Sequence, residues 1–397
     1  MHAFGPPASV PRAVVPSLRS AVAPFMVMDV MERAARIEAS GGKVIHLEVG
    51  QPAAPAPLVA RTAAANALAG GQVGYTTALG IPALRARIAR HYGEAYGHAL
   101  DPERVVVTSG SSAGFILAFL GLFEAGDRVA IAAPGYPPYR HVLSALGCTP
   151  VLIETHAEDR HALTPDQLRR AHREAPLSGV LVASPANPTG TMMDRAALSA
   201  LIDCARELSI SFISDEIYHG LDYAFPAVTA AEFGEDVTVI NSFSKYFCMT
   251  GWRVGWMVVP PALVRTMERL QQNLSISVPT LSQIAADAAF EGRAEMEAIK
   301  QSYVENRRIL TAGLPKVGLA RFLPADGAFY LYADASDFTS DSLDFATRLL
   351  DAAHVALTPG VDFDPFHGHQ YLRISYAGSA ADMREAVERI GDFLAKG

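Results

Sequence analysis

Short, continuously apolar runs recur along the first two-thirds of the chain, and stretches with helical spacing separate several of them. These runs occupy residues 44–49, 105–108, 128–133, 151–154, 180–183, 211–214, 237–241 and 255–259. A strand without a polar face must be covered on both sides of its sheet, and strands that alternate with helices are typical of parallel sheets. The sequence therefore predicts an α/β fold on a mostly parallel sheet that is flanked by helices.

Beyond about residue 290 the pattern changes and predicts a second, smaller α+β domain. A long helical stretch covers 294–310, strands are expected near 328–332 and 371–375, and a closing helix covers 381–394. A further helix is expected over 27–39, where apolar residues recur on one stripe, and we expect it to complete the smaller domain. The chain is therefore divided into an N-terminal arm and helix at 1–45, a large domain at 46–288 and a small domain at 289–397.

Charge and cysteine content restrict the classes of partner and compartment. The 397 residues include 33 Lys plus Arg and 41 Asp plus Glu, and the formal net charge of −8 argues against general affinity for nucleic acid or anionic membranes. No apolar run approaches the roughly 20 residues that span a bilayer. The three cysteines form no disulfide framework and no zinc-type pair, so we expect no metal site and a reducing, cytoplasmic compartment.

The N-terminal residues permit two interpretations. Arg12 and Arg19 come before the first acidic residue, Asp29, as they would in a mitochondrial transit peptide. Five prolines between residues 6 and 24 would break the amphipathic helix that such a peptide needs. We therefore expect an arm rather than a targeting helix.

Polar residues follow several of the apolar runs, at the edge of the sheet where α/β proteins bind ligands. Ser109-Gly110-Ser111-Ser112 could hold a phosphate through backbone N–H groups and hydroxyls, or could form a tight turn only. Asn187 lies in a Pro/Gly turn and could cap the next segment. Asp215 ends another run, where a buried carboxylate needs a partner, so it is either a capping residue or the counter-ion of a cationic ligand.

Lys245 follows the run at 237–241 after two serines, and Arg253 comes eight residues later in a Gly-bearing turn. Arginine offers a fork for phosphate oxygens, and an amine can form an imine with a carbonyl. The remaining lysines are Lys43, Lys300, Lys316 and Lys396. None of these four follows a buried strand with serine neighbours, so if the protein forms an imine, Lys245 is the only credible candidate; a lone lysine at a strand end is otherwise a solvated surface residue.

Taken in order, these segments resemble the fold-type I pyridoxal-phosphate enzymes of the class I/II aminotransferase group, which are related to aspartate aminotransferases. The resemblance extends from about residue 23 to the C-terminus. It is carried by Leu47-Glu48-Val49-Gly50-Gln51-Pro52, Gly74-Tyr75, Gly80-Ile81, Ser109–Ser112, Ala186-Asn187-Pro188-Thr189-Gly190, Ser214-Asp215-Glu216-Ile217-Tyr218, Ser242-Phe243-Ser244-Lys245, Thr250-Gly251-Trp252-Arg253 and Leu372-Arg373-Ile374-Ser375. It implies a sheet of the seven-stranded type in the large domain.

The resemblance also implies a role for the residues around the cofactor, pyridoxal 5′-phosphate. Lys245 would hold it as a Schiff base and then act as general acid and base. Asp215 would pair with the pyridine nitrogen, Asn187 and Tyr218 would hydrogen-bond the ring oxygen, and Tyr136 would stack on the ring. By this resemblance Lys245, Asp215 and Tyr218 are the catalytic residues.

Phosphate and substrate contacts are implied in the same way. The residues that would hold the phosphate are Gly110, Ser111, Ser112, Ser242, Ser244 and Arg253. Tyr75 would reach the phosphate in the neighbouring subunit's site, which makes the protein a homodimer with composite active sites. Arg373 would bind the α-carboxylate of the substrate, with Gly50 and Asn187 beside it.

The function implied is transamination between an L-amino acid and a 2-oxo acid, with 2-oxoglutarate as the expected acceptor. A β-elimination lyase or a cyclopropane-forming synthase on the same scaffold would use the same lysine, aspartate and arginine, although Thr250–Arg253 favours transamination. A remote alternative is the effector domain of a transcription regulator, but the residues before the first run are too poor in basic residues for a DNA-binding module. Some relatives that act on aspartate carry a lysine where this chain has Ser112, which argues against a dicarboxylate preference, although another arginine could substitute.

Overall fold

The computed structural model describes residues 14–71 and 73–396, so the part of the N-terminal arm before residue 14 lies outside the described residues. The helices of the described residues are α1 Met26–Ala39, α2 Leu58–Ala69, α3 Pro82–Tyr96, α4 Gly110–Leu122, α5 Pro137–Ala145, α6 Pro165–Glu174, α7 Arg195–Glu207, α8 Val264–Leu274, α9 Thr280–Ala289, α10 Arg293–Gly313, α11 Ser342–Ala353 and α12 Ala380–Leu394. The strands are β1 Ile45–His46, β2 Val105–Thr108, β3 Arg128–Ala133, β4 Thr149–Glu154, β5 Gly179–Ala183, β6 Ser211–Asp215, β7 Thr238–Ser242, β8 Gly255–Val258, β9 Arg321–Phe322, β10 Tyr330–Asp334, β11 Val355–Ala356, β12 Thr358–Pro359 and β13 Tyr371–Ser375.

A seven-stranded sheet forms the centre of the molecule, in the order β2-β8-β7-β6-β5-β3-β4. Strand β8 runs antiparallel to both of its neighbours, and every other pair is parallel. The predicted α/β class with a mostly parallel sheet is therefore confirmed. The parallel order brings the carboxyl ends of β5, β6 and β7 together at one edge.

Helices cover both faces of this sheet, which explains why its strands have no polar face. Val105 and Val107 of β2 pack into one core with Leu84 and Leu201, from α3 and α7. Val106, between them, points to the opposite face, where Phe119 of α4 packs. Successive side chains of a strand alternate between faces, so a strand with two covered faces is apolar at every position.

A smaller antiparallel sheet lies in the C-terminal part, in the order β12-β13-β10-β9. Leu310 of α10, Leu349 of α11 and Ile390 of α12 join one apolar cluster with residues of β10 and β13. Tyr332 of β10 lies opposite Arg373 of β13 in the antiparallel register. The expected helices at 27–39, 294–310 and 381–394 correspond to α1, α10 and α12, while the strand expected at 328–332 begins two residues later.

The apolar run at 44–49 departs from the expected pattern. Its strand, β1, pairs in parallel with β11, Ile45 opposite Val355, and does not join the seven-stranded sheet with the other runs. Ala34 of α1 packs beside Val44 in a cluster that also contains Leu350. Grouping this run with the large sheet was wrong, because a two-residue strand carries no periodicity that identifies a partner so far away in sequence.

The described residues contain no helix that is long and apolar enough to cross a bilayer. Within the same part of the chain, no group of three His, Cys, Asp or Glu side chains is arranged to hold a metal ion. Cys148, Cys204 and Cys248 are buried as free thiols.

Candidate active site

A cavity of about 360 Å³ opens where the carboxyl ends of the central strands face α1, β10 and β13. Most of the residues singled out from the sequence line it: Gly50, Ser111, Ser112, Tyr136, Asn187, Asp215, Tyr218, Ser244, Lys245, Arg253 and Arg373. Gly110 and Ser242 lie behind this lining and contact it. Tyr75 lies apart from the cavity, with 84% of its surface exposed.

Lys245 presents the amine of the cavity. It follows β7 and the Ser242–Ser244 turn, so its side chain lies at the edge of the sheet. There Nζ donates a hydrogen bond of 2.5 Å to the carbonyl of Gly50. Burial, with the positive charges of Arg373 and Arg253 nearby, lowers the pKa of Lys245 from 10.5 to about 8. An amine with a lowered pKa is neutral, and therefore nucleophilic, in a larger fraction of molecules near neutral pH.

Asp215, the last residue of β6, presents the buried carboxylate. The hydroxyl of Tyr139 donates to Oδ2, and the backbone N–H of Ile217 donates to Oδ1 at 3.0 Å. Burial raises the pKa of Asp215 from 3.8 to about 6, although both hydrogen bonds and the charge of Lys245 oppose the rise. A cation beside this carboxylate would favour its ionised form, and the protonated nitrogen of a pyridine ring is such a cation.

Arg373 presents a buried guanidinium near the other end of the cavity. Nη1 donates to Oδ1 of Asn187 at 3.0 Å, and Nη2 donates to the carbonyl of Glu48 and to Thr358. Within the described residues its Nε has no hydrogen-bond partner, and no carboxylate forms an ion pair with this arginine. A buried, unpaired guanidinium is costly unless an anion neutralises it, so this position is suited to a ligand carboxylate.

A turn, a helix start and an arginine converge at the third corner of the cavity. Gly110 begins α4 with a φ of +76°, and a Cβ at this position would overlap the guanidinium of Arg253. The hydroxyl of Ser242 donates to Ser244 Oγ at 2.9 Å and so fixes the second serine against the cavity. Hydroxyls, a helix N-terminus and a guanidinium together form a donor set that fits a phosphate group.

Two tyrosines that sequence reasoning missed complete the walls. Tyr330 of β10 shares a hydrogen bond of 2.8 Å with the hydroxyl of Tyr218, and a Cβ on Gly50 would overlap the Tyr330 hydroxyl. Tyr139 of α5 lies three residues after Tyr136, the residue that caps this helix. Residues three apart share one side of a helix, so the spacing from the predicted ring-stacking residue could have indicated that Tyr139 also faces the site. Tyr330 had no such signal, because an antiparallel sheet of the C-terminal part places it in the cavity.

The side of the cavity formed by α1 is apolar. Phe25 precedes the helix and its ring meets Tyr136 edge to face at 5.9 Å, and Val27, Met28 and Met31 line the same side. This wall offers no charged group to a substrate side chain.

Comparison with known proteins decides the family. The family model for aminotransferase class I and II matches residues 42–390. The chain belongs to this family. The enzyme is therefore an aminotransferase, and aminotransferases of this fold use pyridoxal phosphate as their cofactor.

The similarity extends over nearly the whole aminotransferase. This chain is 49% identical over 382 residues to the valine–pyruvate aminotransferase of Mycobacterium tuberculosis, and the match covers 95% of this chain and 98% of that protein. The crystal structure of an aminotransferase from M. tuberculosis superposes with a TM-score of 0.94 at 48% identity, over 97% of this chain and 100% of the other. The aspartate aminotransferase from Thermus thermophilus with maleate superposes with a TM-score of 0.90 at 30% identity, over 96% of this chain and 100% of the other.

The residues in the cavity fit the cofactor of this family. A carboxylate that needs a cation, an amine with a lowered pKa and a corner of phosphate donors lie around one cavity, and a glycine stands where a Cβ would displace Arg253. These are the partners that a pyridine nitrogen, an aldehyde and a phosphate require.

Proposed function

We propose that this aminotransferase moves the amino group between an apolar L-amino acid and pyruvate, with Lys245 as the covalent anchor of the cofactor and the carrier of the proton. The observation that carries the proposal is the placement of Lys245, Asp215 and Arg373 around one cavity. None of the three forms an ion pair with another residue of the part of the chain that the structure describes, and the cofactor and the substrate would supply those partners. An amine, a counter-ion and a carboxylate-binding guanidinium are the minimum set for this chemistry.

Around the cofactor, Asp215 would accept from the ring nitrogen and Tyr136 would cover the ring. Tyr218 would donate to the ring oxygen, since burial raises its pKa and keeps the phenol protonated. The phosphate would lie against Arg253 and Ser244, beside Gly110, Ser111, Ser112 and Ser242. When bound, pyridoxal phosphate supplies an electron sink for the charge that develops at the substrate's α-carbon.

The protein residues orient the substrate and move its proton. The Nη atoms of Arg373 face Asn187 and Thr358, and a substrate carboxylate would add the ionic contact that this guanidinium lacks. A fixed carboxylate aligns the α-carbon with the amine of Lys245, and positioned proton transfer contributes about 10²–10⁴-fold to rate. The lowered pKa of Lys245 favours the neutral amine, which is the form that accepts the proton.

The charge of the cavity supports an apolar substrate. Among the residues of this chain that line it, the cations are Lys245, Arg253 and Arg373, and each already has a role in the proposal. None is left for a second carboxylate, Ser112 adds no charge, and the α1 wall is apolar. The valine–pyruvate relative supports the same choice, so pyruvate replaces 2-oxoglutarate as the acceptor that we favour.

We further propose that the enzyme is a cytoplasmic homodimer with composite sites. Tyr75 is 84% exposed, and Val73, Leu274 and Ile276 are also exposed apolar residues. Hydrogen bonds from Thr76 to Ser277 and from Thr280 to Gly74 hold the two segments together. Such a set is suited to a protein interface, and a second subunit would bring its own Tyr75 to a phosphate. Three free, buried thiols are compatible with a reducing compartment.

A substrate panel tests the reaction. L-Valine, L-alanine, L-leucine, L-phenylalanine, L-aspartate and L-glutamate would each be incubated with pyruvate or 2-oxoglutarate, and the product amino acid quantified. We expect the highest kcat/KM with an apolar donor and pyruvate. Preference for aspartate or glutamate with 2-oxoglutarate would overturn the substrate assignment, and release of free ammonia without amino transfer would indicate the lyase alternative.

A further inference from the structure

A second cavity, of about 240 Å³, lies on the opposite side of the segment that carries Lys245. Its walls come from the C-terminal half of α3, the start of α10 and the loops that follow β6 and β7. Tyr246 and Phe247, the two residues after Lys245, face this cavity, while Lys245 itself faces the first. The lysine segment is therefore a wall shared by two cavities.

Aromatic rings form the floor of the second cavity. The rings of Phe247 and Phe290 meet edge to face with centroids 5.0 Å apart, and the imidazole of His91 lies 5.2 Å from Phe290. Trp256 and Tyr96 add two further rings. A floor of this kind favours a flat apolar group, since stacked and edge-to-face contacts add to the energy of burial.

The acidic side chains at the mouth are already engaged. Glu94 accepts from Arg87 at 3.2 Å, Asp222 accepts from Lys300 at 3.4 Å, and Glu297 accepts from the hydroxyl of Tyr246 at 2.6 Å. Arg87 and Lys300 are occupied by the same contacts. Each of the three carboxylates therefore already accepts a hydrogen bond from a side chain of this protein.

Arg293 is the cation that remains at the mouth. Arg293 is exposed, begins α10 and forms no hydrogen bond or ion pair with any side chain in residues 14–71 and 73–396. Burial, together with the positive charges of Arg87 and Arg293, lowers the pKa of His91 to about 4, so the imidazole is neutral and its nitrogens can hydrogen-bond a ligand. The charged residues that line this cavity are three cations and three carboxylates, and Arg293 is the cation that no carboxylate of the described residues holds.

We propose that this second cavity binds a small aromatic monocarboxylate, with its ring on the Phe247–Phe290 floor and its carboxylate at Arg293, and that the bound acid modulates transamination. One ring suits the volume, which is below the range for drug-sized ligands. A single free guanidinium suits one carboxylate rather than a phosphate. The modulating effect rests on the proposed function of Lys245, whereas the binding site does not.

Packing around Gly220 links the cavity to the lysine. Gly220 has a φ of +90°, and a Cβ there would overlap the ring of Tyr246. Tyr246 is therefore held between Gly220, which follows the Tyr218 segment, and Glu297 of α10. A ligand on this floor contacts the residue next to Lys245, and coupling between two such sites is typically about 5–150-fold.

Fluorescence of Trp256 tests the binding. The chain contains two tryptophans, so Trp252→Phe leaves Trp256, in the cavity wall, as the reporter. The probes are phenylacetate, its uncharged analogue 2-phenylethanol and the non-aromatic acetate, each titrated into the holoenzyme with and without saturating L-valine. We expect saturable binding of phenylacetate that L-valine does not displace, and at least tenfold weaker binding of the other two probes.

Substitution of the arginine completes the test. Arg293→Gln, in the Trp252→Phe background, should weaken phenylacetate binding at least tenfold, whereas the matched control Arg308→Gln, farther along the same helix, should leave it unchanged. In the wild-type enzyme, phenylacetate should change kcat at saturating L-valine, and this effect should be lost in Arg293→Gln. Absence of saturable binding, displacement by L-valine, or equal binding by Arg293→Gln and the wild type would each overturn the site.

The two proposals fail separately. Binding of phenylacetate is measured without turnover, so the second cavity can be tested even if the enzyme acts on substrates other than those proposed. Normal transamination with no phenylacetate binding would remove the second site and leave the proposed function in place. Binding at Arg293 without any change in kcat would remove the modulating effect alone.

Discussion

The hydroxyl of Tyr139 donates a hydrogen bond to Oδ2 of Asp215, at the buried end of β6. This hydrogen bond lowers the pKa of a carboxyl group that burial has raised to about 6. The tyrosine therefore favours the ionised form of the residue that we assign to the ring nitrogen. A phenol thus supports the active site without a charge of its own.

Tyr139→Phe should weaken cofactor binding about tenfold, because a hydrogen bond to a charged group contributes about 1.5–3 kcal/mol. Loss of the donor raises the pKa of Asp215 further, so the acidic limb of the kcat/KM profile should move to higher pH. Cofactor titration and a pH profile measure the two effects. Tyr332→Phe is the control, since the buried Tyr332 hydroxyl has no hydrogen-bond partner among residues 14–71 and 73–396. An unchanged acidic limb in Tyr139→Phe would contradict the assignment.

Asp215→Asn should stabilise the apoenzyme while it weakens cofactor binding. The folded-state pKa of about 6 lies above the ordinary value of 3.8, so the folded chain holds this proton more tightly and loses stability as pH rises between these values. Two pKa units correspond to about 3 kcal/mol. Thermal unfolding of the apoenzymes should show a higher Tm for the variant at pH 7 and a much smaller difference near pH 4; a lower Tm at pH 7 would argue against the buried, uncompensated carboxylate.

Arg373→Gln should raise KM for the amino donor by about 10–100-fold, the range expected for a charge-assisted hydrogen-bonded pair. The cofactor's affinity should change little, because Arg373 lies toward Asn187 and Thr358 and not at the phosphate corner. Steady-state kinetics and cofactor titration separate the two. A large fall in cofactor affinity with unchanged KM would mean that Arg373 binds the cofactor and not the substrate carboxylate.

Ser112→Lys should shift specificity toward dicarboxylates. The residue lines the cavity at the start of α4, and an ammonium there would add the cation that a second carboxylate needs. We expect the ratio of kcat/KM for aspartate to that for valine to rise at least tenfold, whereas Ser112→Ala should leave the ratio near that of the wild type. No change in the ratio for the lysine variant would mean that the side-chain pocket lies elsewhere.

Strand order explains how much of the site could be predicted from sequence. Asn187, Asp215 and Lys245 follow apolar runs, and parallel strands necessarily bring such residues to one edge, so the positions of the runs were enough to predict a shared cavity. Arg373 could be identified only through the family resemblance. No local pattern in the sequence connects its strand to the central sheet.

The remaining features depend on contacts between distant segments. Tyr330 meets Tyr218 because an antiparallel sheet packs against the edge of the central one, and β1 pairs with β11 across most of the chain. The second cavity is assembled from α3, α10 and the loops after β6 and β7, and the motifs in those two loops point to the first cavity, so no pattern in the sequence predicted the second. Short strands and loop walls have no periodicity, so their partners become visible only in the folded chain.

Reductive trapping tests the central claim most directly. The holoenzyme would be treated with borohydride, digested and mapped by mass spectrometry to find which of the five lysines carries the pyridoxyl phosphate group. We predict that the label lies on Lys245 and is absent from Lys43, Lys300, Lys316 and Lys396. Label on another lysine, or an enzyme that transaminates without any trapped cofactor, would contradict the account.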